Sequence, residues 1–189
     1  NSTAGIAAIE GGSPKISSEA VAWAQYERGI GSATLEALGV GSGMAFFPDA
    51  GTKLSALFFR YGEHWKARAY PEKHFVAEKG FELAFWNLEA VLAGNPRDVF
   101  LVEGELDACA LVEAGVPASR VLSVPNGAKE RPADAPQDQR GYEYVREALR
   151  AGLQHVKRFV WCGDADDAGR ALRADMVRLL GAARFWFVD

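Results

Sequence analysis

The stretch Val99-Phe100-Leu101-Val102-Glu103-Gly104-Glu105-Leu106-Asp107 decides the fold. An apolar run leads straight into a turn loaded with carboxylates. Residues 108–114 then read as a helix closed by Gly115. The pattern returns at Phe159-Val160-Trp161-Cys162-Gly163-Asp164-Ala165-Asp166-Asp167-Ala168-Gly169-Arg170, with a helix over 168–180 ended by Gly181. Twice, a buried strand delivers acids to the turn before a helix. A short strand at 121–124, a helix at 142–151 and a last strand at 185–188 complete the rhythm. Alternating strands and helices predict a parallel sheet with right-handed crossovers.

In an open parallel sheet, ligands bind at the carboxyl ends of the strands. Glu103, Asp164 and Asp166 occupy those positions. A spacing of two places Asp164 and Asp166 on one side of an extended segment. Asp107 faces the same way if its helix begins near Leu106. Carboxylates gathered at one edge repel each other, and a hard divalent cation relieves that conflict. A donor set of oxygens alone suits Mg²⁺ or Mn²⁺ rather than Zn²⁺. Each acid taken singly also reads as a helix cap or a partner of the helix dipole. The arrangement is not an EF-hand, because Ala168 stands at a ligand position and a strand precedes the loop. Nor does it supply the early nucleophilic Asp and later Lys of a receiver or a haloacid-dehalogenase-type phosphatase.

Upstream, Ser17 or Ser18 caps a helix that runs to Arg28 and stops at Gly29. A shorter helix spans 33–38, capped by Ser32. Strands at 44–47, 54–61 and 65–70 form an antiparallel meander, with turns at Asp49-Ala50-Gly51 and Gly62-Glu63-His64. In the third strand Trp65, Ala67 and Ala69 share one face, while Lys66 and Arg68 share the other. Lys53, Arg60, Lys73, His74 and Lys79 make this the one concentrated basic stretch. Its charge pattern alone reads as a solvated sheet face. A helix over 88–93, ended by Gly94, leads to the first acidic strand. A loop runs from Pro125-Asn126-Gly127-Ala128 to Arg140.

With 189 residues and 49% hydrophobic content, the chain suits one domain with a small appendage. A net charge of −4 does not advertise nucleic-acid binding, yet a basic face can coexist with an acidic site. No apolar run reaches the roughly 18 residues of a membrane helix, and no signal peptide opens the chain. Cys109 and Cys162 lack Cys-x-x-Cys spacing and read as reduced core thiols, which fits a cytoplasmic location. The chain begins at Asn1 and stops just after a strand, so it is expected to be a piece of a larger protein.

Val102-Glu103-Gly104-Glu105-Leu106-Asp107 together with Gly163-Asp164-Ala165-Asp166-Asp167-Ala168-Gly169-Arg170 resembles the toprim domain. This is the catalytic fold of bacterial-type primases, of type IA and II topoisomerases, and of some nucleases. Within that group the chain is most similar to primases, above all the primase half of phage and mitochondrial-type primase–helicases. The supporting segments are Tyr26-Glu27-Arg28-Gly29-Ile30 through Leu38-Gly39-Val40, Lys66-Ala67-Arg68, Lys73-His74-Phe75, Ala84-Phe85-Trp86-Asn87 and Ser123-Val124-Pro125-Asn126-Gly127-Ala128. Topoisomerases lack this helical lead-in.

The resemblance implies an α/β fold. A linker or disordered terminus (1–15) and a small α+β primase subdomain (16–97) precede a Rossmann-like toprim sheet with flanking helices (98–189). It implies a Mg²⁺-dependent DNA primase (Mn²⁺ as substitute) making RNA primers from ribonucleoside triphosphates on a single-stranded DNA template. A replicative helicase domain, fused or separate, is the implied partner; no membrane is involved. The resemblance also implies action at a bacterial or phage replication fork. Asp164 and Asp166 would hold the cation, with Glu103 as a further ligand or as general base, and Asp107 would orient the site. Lys66, Arg68 and Lys73 would contact phosphates, which replaces the solvated-face reading. Asn126 and Gly127 would let backbone approach the substrate. Arg170 would meet a phosphate or pair with Asp166 or Asp167. The family's zinc module has no counterpart here. Its third acidic element follows the strand matching 185–188, so the toprim domain is expected to be truncated at Asp189. The alternatives are a non-catalytic toprim module binding single-stranded DNA, and a metal-dependent toprim nuclease.

Overall fold

The computed structural model describes residues 15–127 and 139–187. The linker expected over most of 1–15, the middle of the loop that follows Gly127, and the end of the last strand at Val188 lie outside them. The chain divides into two compact units, Asn1–Glu82 and Leu83–Asp189. The sequence placed this boundary between residues 97 and 98. It falls earlier because Phe85 and Val91 pack with Val99 and Leu101 in the second unit's core.

The first unit opens with helix α1 (Ser18–Arg28), whose N-cap Ser17 accepts a hydrogen bond from Ala20 N. Gly29 closes it in the left-handed conformation at φ 67°. Helix α2 (Ser32–Ala37) starts a residue earlier than expected. Gly31 occupies its cap position, so Ser32 does not cap it. Strands β1 (Gly41–Phe47), β2 (Thr52–Tyr61), β3 (His64–Ala69) and β4 (Phe75–Ala77) then form an antiparallel sheet in sequential order.

Register settles what the faces of β3 meet. Trp65, Ala67 and Ala69 join Ala45, Phe47, Ala56 and Phe58 in an apolar cluster. On the other face Lys66 pairs with Phe59 and Arg68 with Leu57, and both partners are fully buried. The expectation that Lys66 and Arg68 share a face is met. The face is not uniformly solvated: Arg68 is only 5% exposed, whereas Lys66 is half-buried and Phe75, opposite Arg68 on β4, is exposed.

The second unit begins with a segment in which Trp86 bridges to Ser123. Helix α3 (Leu88–Gly94) follows, then β5 (Asp98–Val102), α4 (Glu105–Glu113), β6 (Val121–Ser123), α5 (Glu143–Ala151), β7 (Arg158–Trp161), α6 (Asp167–Leu180) and β8 (Phe185–Phe187). The four strands pair in parallel, in the order β6-β5-β7-β8. Val99, Leu101, Phe159, Trp161 and Phe185 alternate onto one sheet face. There they pack with Val145 and Ala148 of α5 and with Leu172, Met176 and Leu180 of α6.

A bidentate ion pair fixes β5 against β7 where both begin. Arg158 donates through Nε to Asp98 Oδ1 at 2.7 Å and through Nη2 to Oδ2 at 2.6 Å. These bonds hold the Asp98 carboxyl below its usual range. No described helix is long and apolar enough to cross a membrane.

Candidate active site at the carboxyl ends of the parallel strands

The strand order reverses around β5. The chain leaves β5 for β6 on one side, then returns to β7 on the other and continues to β8. The switch point lies between β5 and β7, where an open parallel sheet leaves a crevice. Glu103 follows β5 and Asp164 follows β7, so topology alone brings these two segments together.

Their contact is direct. Asp164 N donates to Glu103 Oε1 at 2.8 Å. That oxygen also sits against two glycines. A Cβ on either Gly163 or Gly169 would lie 2.7 Å from Glu103 Oε1. At Gly163 it would also meet the Trp161 ring at 2.4 Å, and at Gly169 the Asp164 carbonyl oxygen at 2.2 Å. Neither position has room for a side chain, which is why glycine occupies both.

The other acids have separate local roles. Asp166 is the N-cap of α6, and its Oδ1 accepts from Gly169 N at 2.7 Å. Asp164 and Asp166 are exposed. Asp107 is exposed in the first turn of α4. Its Oδ2 approaches Gly104 so closely that a Cβ there would lie 3.0 Å away. Arg170 pairs with Asp167 and with the Ala165 carbonyl, which fulfils the ion-pair alternative for this residue. Asn126 and Gly127 are exposed beside the same strand end, where a Gly127 Cβ would lie 3.8 Å from Glu103 O. Glu103, Asp164, Asn126 and Gly127 therefore share one rim.

Among the described residues, no group of three or more His, Cys, Asp or Glu side chains is gathered to hold a metal ion. The charged donors at the rim, Glu103 and Asp164, are carboxylates, the type that hard cations prefer. Mg²⁺ is commonly held by one or two carboxylates, with water and substrate phosphates completing its shell. The rim fits that mode and not an all-protein cage.

The basic residues lie in the first unit. Lys66 Nζ stands 5.1 Å and Lys73 Nζ 6.0 Å from the centroid of the Phe75 ring. The Arg68 guanidinium lies 5.0 Å from the Trp23 ring and donates to Ala69 O at 3.1 Å. Trp23 in turn stacks on Tyr70 at 5.2 Å.

Sequence reasoning passed over two features of the acidic site. Glu105 is 3% exposed at the start of α4, whereas its motif neighbour Asp107 is exposed. Burial, reinforced by Glu105 and Asp107, pushes the Cys109 thiol well up, and burial also raises Cys162. Both are free thiols; Cys109 is buried in the core as expected, whereas Cys162 is only half-buried. Gly169 was the second omission. A glycine in the first turns of a helix costs about 1 kcal/mol against alanine, so its presence signals a close approach.

No protein-family model matches the chain. Over 122 residues it is 30% identical to a primase homolog protein of Arabidopsis thaliana, covering 61% of this chain and 34% of that protein. The chain thus spans about a third of that curated relative's length. Its structure is similar to the zinc-binding and RNA polymerase domains of Aquifex aeolicus primase. The TM-score is 0.61 at 14% identity, over 91% of this chain and 49% of that one. It is also similar to the primase fragment of the bacteriophage T7 primase-helicase protein. Here the TM-score is 0.62 at 16% identity, over 97% of this chain and 73% of that one. The mixed α/β architecture, with its parallel sheet and flanking helices, is the fold of bacterial and phage primase fragments.

Proposed function

We propose that the chain carries the nucleotidyl-transfer core of a DNA primase. It would join ribonucleoside triphosphates into short primers on a single-stranded DNA template, alongside a replicative helicase. The observation that supports this most is the junction of Glu103 with Asp164 at the switch point of a primase-like sheet.

In primer synthesis a 3′-hydroxyl attacks an α-phosphate. A new phosphorus–oxygen bond forms, the bond from the α-phosphorus to the bridging oxygen breaks to release pyrophosphate, and the hydroxyl proton passes to water or a nearby base. Positioning and charge neutralisation are the main demands on the protein. Mg²⁺, when bound, would offset the negative charge of the triphosphate. Asp164 presents an exposed carboxylate at the rim for that ion, and Glu103 fixes the backbone that carries it. Asp166 organises the first turn of α6 below the rim. The exposed Asn126-Gly127 turn, which follows β6 and lies beside Glu103, would offer backbone to the nucleotide. Lys66 and Lys73 would hold phosphates of the template.

Primer synthesis by the full-length protein that carries this chain tests the reading. Mg²⁺-dependent oligoribonucleotides that Asp164→Ala abolishes would support it. Binding of single-stranded DNA with no synthesis would instead identify a non-catalytic module. Cleavage of the DNA would identify a nuclease.

A further inference from the structure

Phe75 opens β4, the short edge strand of the first sheet, and is 43% exposed. The ammonium groups of Lys66 and Lys73 lie 5.1 Å and 6.0 Å from the centroid of its ring. Across the strands it pairs with the buried Arg68, whose guanidinium is held on Trp23. A large exposed aromatic with two lysines over it, in a chain of net charge −4, is a local concentration of positive charge around a π-face. Proteins that hold unpaired nucleic acid combine these same parts: a ring on which a base stacks, and cations for the flanking phosphates.

We propose that Phe75 is a stacking platform for one unpaired base of a single-stranded nucleic acid, with Lys66 and Lys73 binding the phosphates on either side. This rests on the primase reading to the extent that the strand would be the template, and it adds a base contact to a surface so far assigned only to phosphate contacts. The lysines do not obstruct the platform. An exposed cation–π contact is weaker than a base–aromatic stack, so an incoming base displaces the ammoniums onto its own phosphates. Because every base has a π-face, the contact is tolerant of sequence. The competing explanation is an ordinary edge-strand aromatic whose ring the lysine stems shield from water.

The test compares two ligands of equal length, oligothymidylate and an abasic deoxyribose-phosphate oligomer, by fluorescence anisotropy on the full-length protein. Phe75→Ala is expected to weaken oligothymidylate binding by about 5- to 150-fold and to leave the abasic oligomer unaffected. Phe75→Trp should preserve both affinities. Phe75→Leu, which keeps an apolar side chain on the strand, should behave like the alanine variant. Lys66→Gln and Lys73→Gln should weaken both ligands and each reduce the salt dependence by about one counterion. Equal losses on the two ligands, rescue by leucine, or no binding of oligothymidylate by the unaltered protein would each overturn the proposal. Primer synthesis is read separately. Base-dependent binding at Phe75 without synthesis would sink the polymerase reading and leave the platform standing. Synthesis that is indifferent to Phe75, with unchanged binding, would do the reverse.

Discussion

Glu103 and Asp164 belong to neighbouring parallel strands far apart in sequence, and the amide of one donates to the carboxylate of the other at 2.8 Å. The acid that follows β5 thus braces the loop that follows β7. Part of the work of Glu103 is structural, and that part can be separated from its charge.

Substitution at Glu103 makes the separation. Glu103→Gln keeps an oxygen able to accept from Asp164 N, so unfolding in urea should change by less than about 0.5 kcal/mol. Glu103→Ala removes the acceptor and should cost about 1 kcal/mol. If the Glu103 carboxylate also acts as the general base, both variants should lower primer synthesis by about 10²- to 10⁴-fold. Full activity in the glutamine variant would reduce Glu103 to a brace.

Asp166 poses the same question with a different partner. As N-cap of α6 it satisfies Gly169 N at 2.7 Å. Asp166→Ala should destabilise by about 1 kcal/mol, whereas Asp166→Ser retains a capping oxygen and most of the stability. If the carboxylate also holds a cation, the serine variant will be stable but will need far more Mg²⁺ for synthesis. A serine variant with an unaltered Mg²⁺ dependence would leave Asp166 as a cap alone.

Gly169→Ala sets two effects against each other. Alanine gains about 1 kcal/mol of helix propensity over glycine. Its Cβ, however, would fall 2.2 Å from the Asp164 carbonyl and 2.7 Å from Glu103 Oε1, inside the contact distance of both. Overpacking against backbone costs about 1–3 kcal/mol, so a net loss of up to about 2 kcal/mol is expected on chemical denaturation. Since the displaced groups are those at the rim, activity should fall more than stability does. A stabilised and fully active variant would show that the loop can yield without consequence.

The strand–turn–helix units were legible because apolar runs ending in acids and glycine-closed helices are local signals. The parallel sheet followed from their alternation. What the local signals could not supply was adjacency. The hydrogen bond from Asp164 to Glu103 exists because β5 and β7 are neighbours, and strand order is not written in either segment. Arg68 shows the same limit. Alternation puts Lys66 and Arg68 on one face, but it does not say that Arg68 is buried there while Lys66 stays partly exposed. Strand β4, with three residues, is too short to carry a period. Helix α3 belongs to the second unit, and its own sequence does not say which core Val91 will join.

A last expectation concerns pH and the first unit alone. His74 Nδ1 lies 2.7 Å from Asp49 Oδ2, and Nε2 lies 3.4 Å from Glu72 Oε2. The hydrogen bond to Asp49 is the main reason that His74 titrates above its ordinary 6.5, with Glu72 adding to it. The same bond lowers Asp49 below its ordinary 3.8. The folded state thus favours charged imidazole. The contribution of His74 to stability is complete below about pH 6.5 and disappears as pH rises through its elevated folded value. That of Asp49 has the opposite sense: present above about pH 3.9, it is lost as pH falls through the depressed folded value. The pair therefore supports the fold most in the mildly acidic range. An NMR titration of the His74 ring should give a midpoint above 6.5, and Asp49→Asn should move it back towards that value. The variant should also flatten the stability difference between about pH 5.5 and about pH 8.5. A midpoint unmoved by Asp49→Asn would mean that the carboxylate does not hold the imidazole charge.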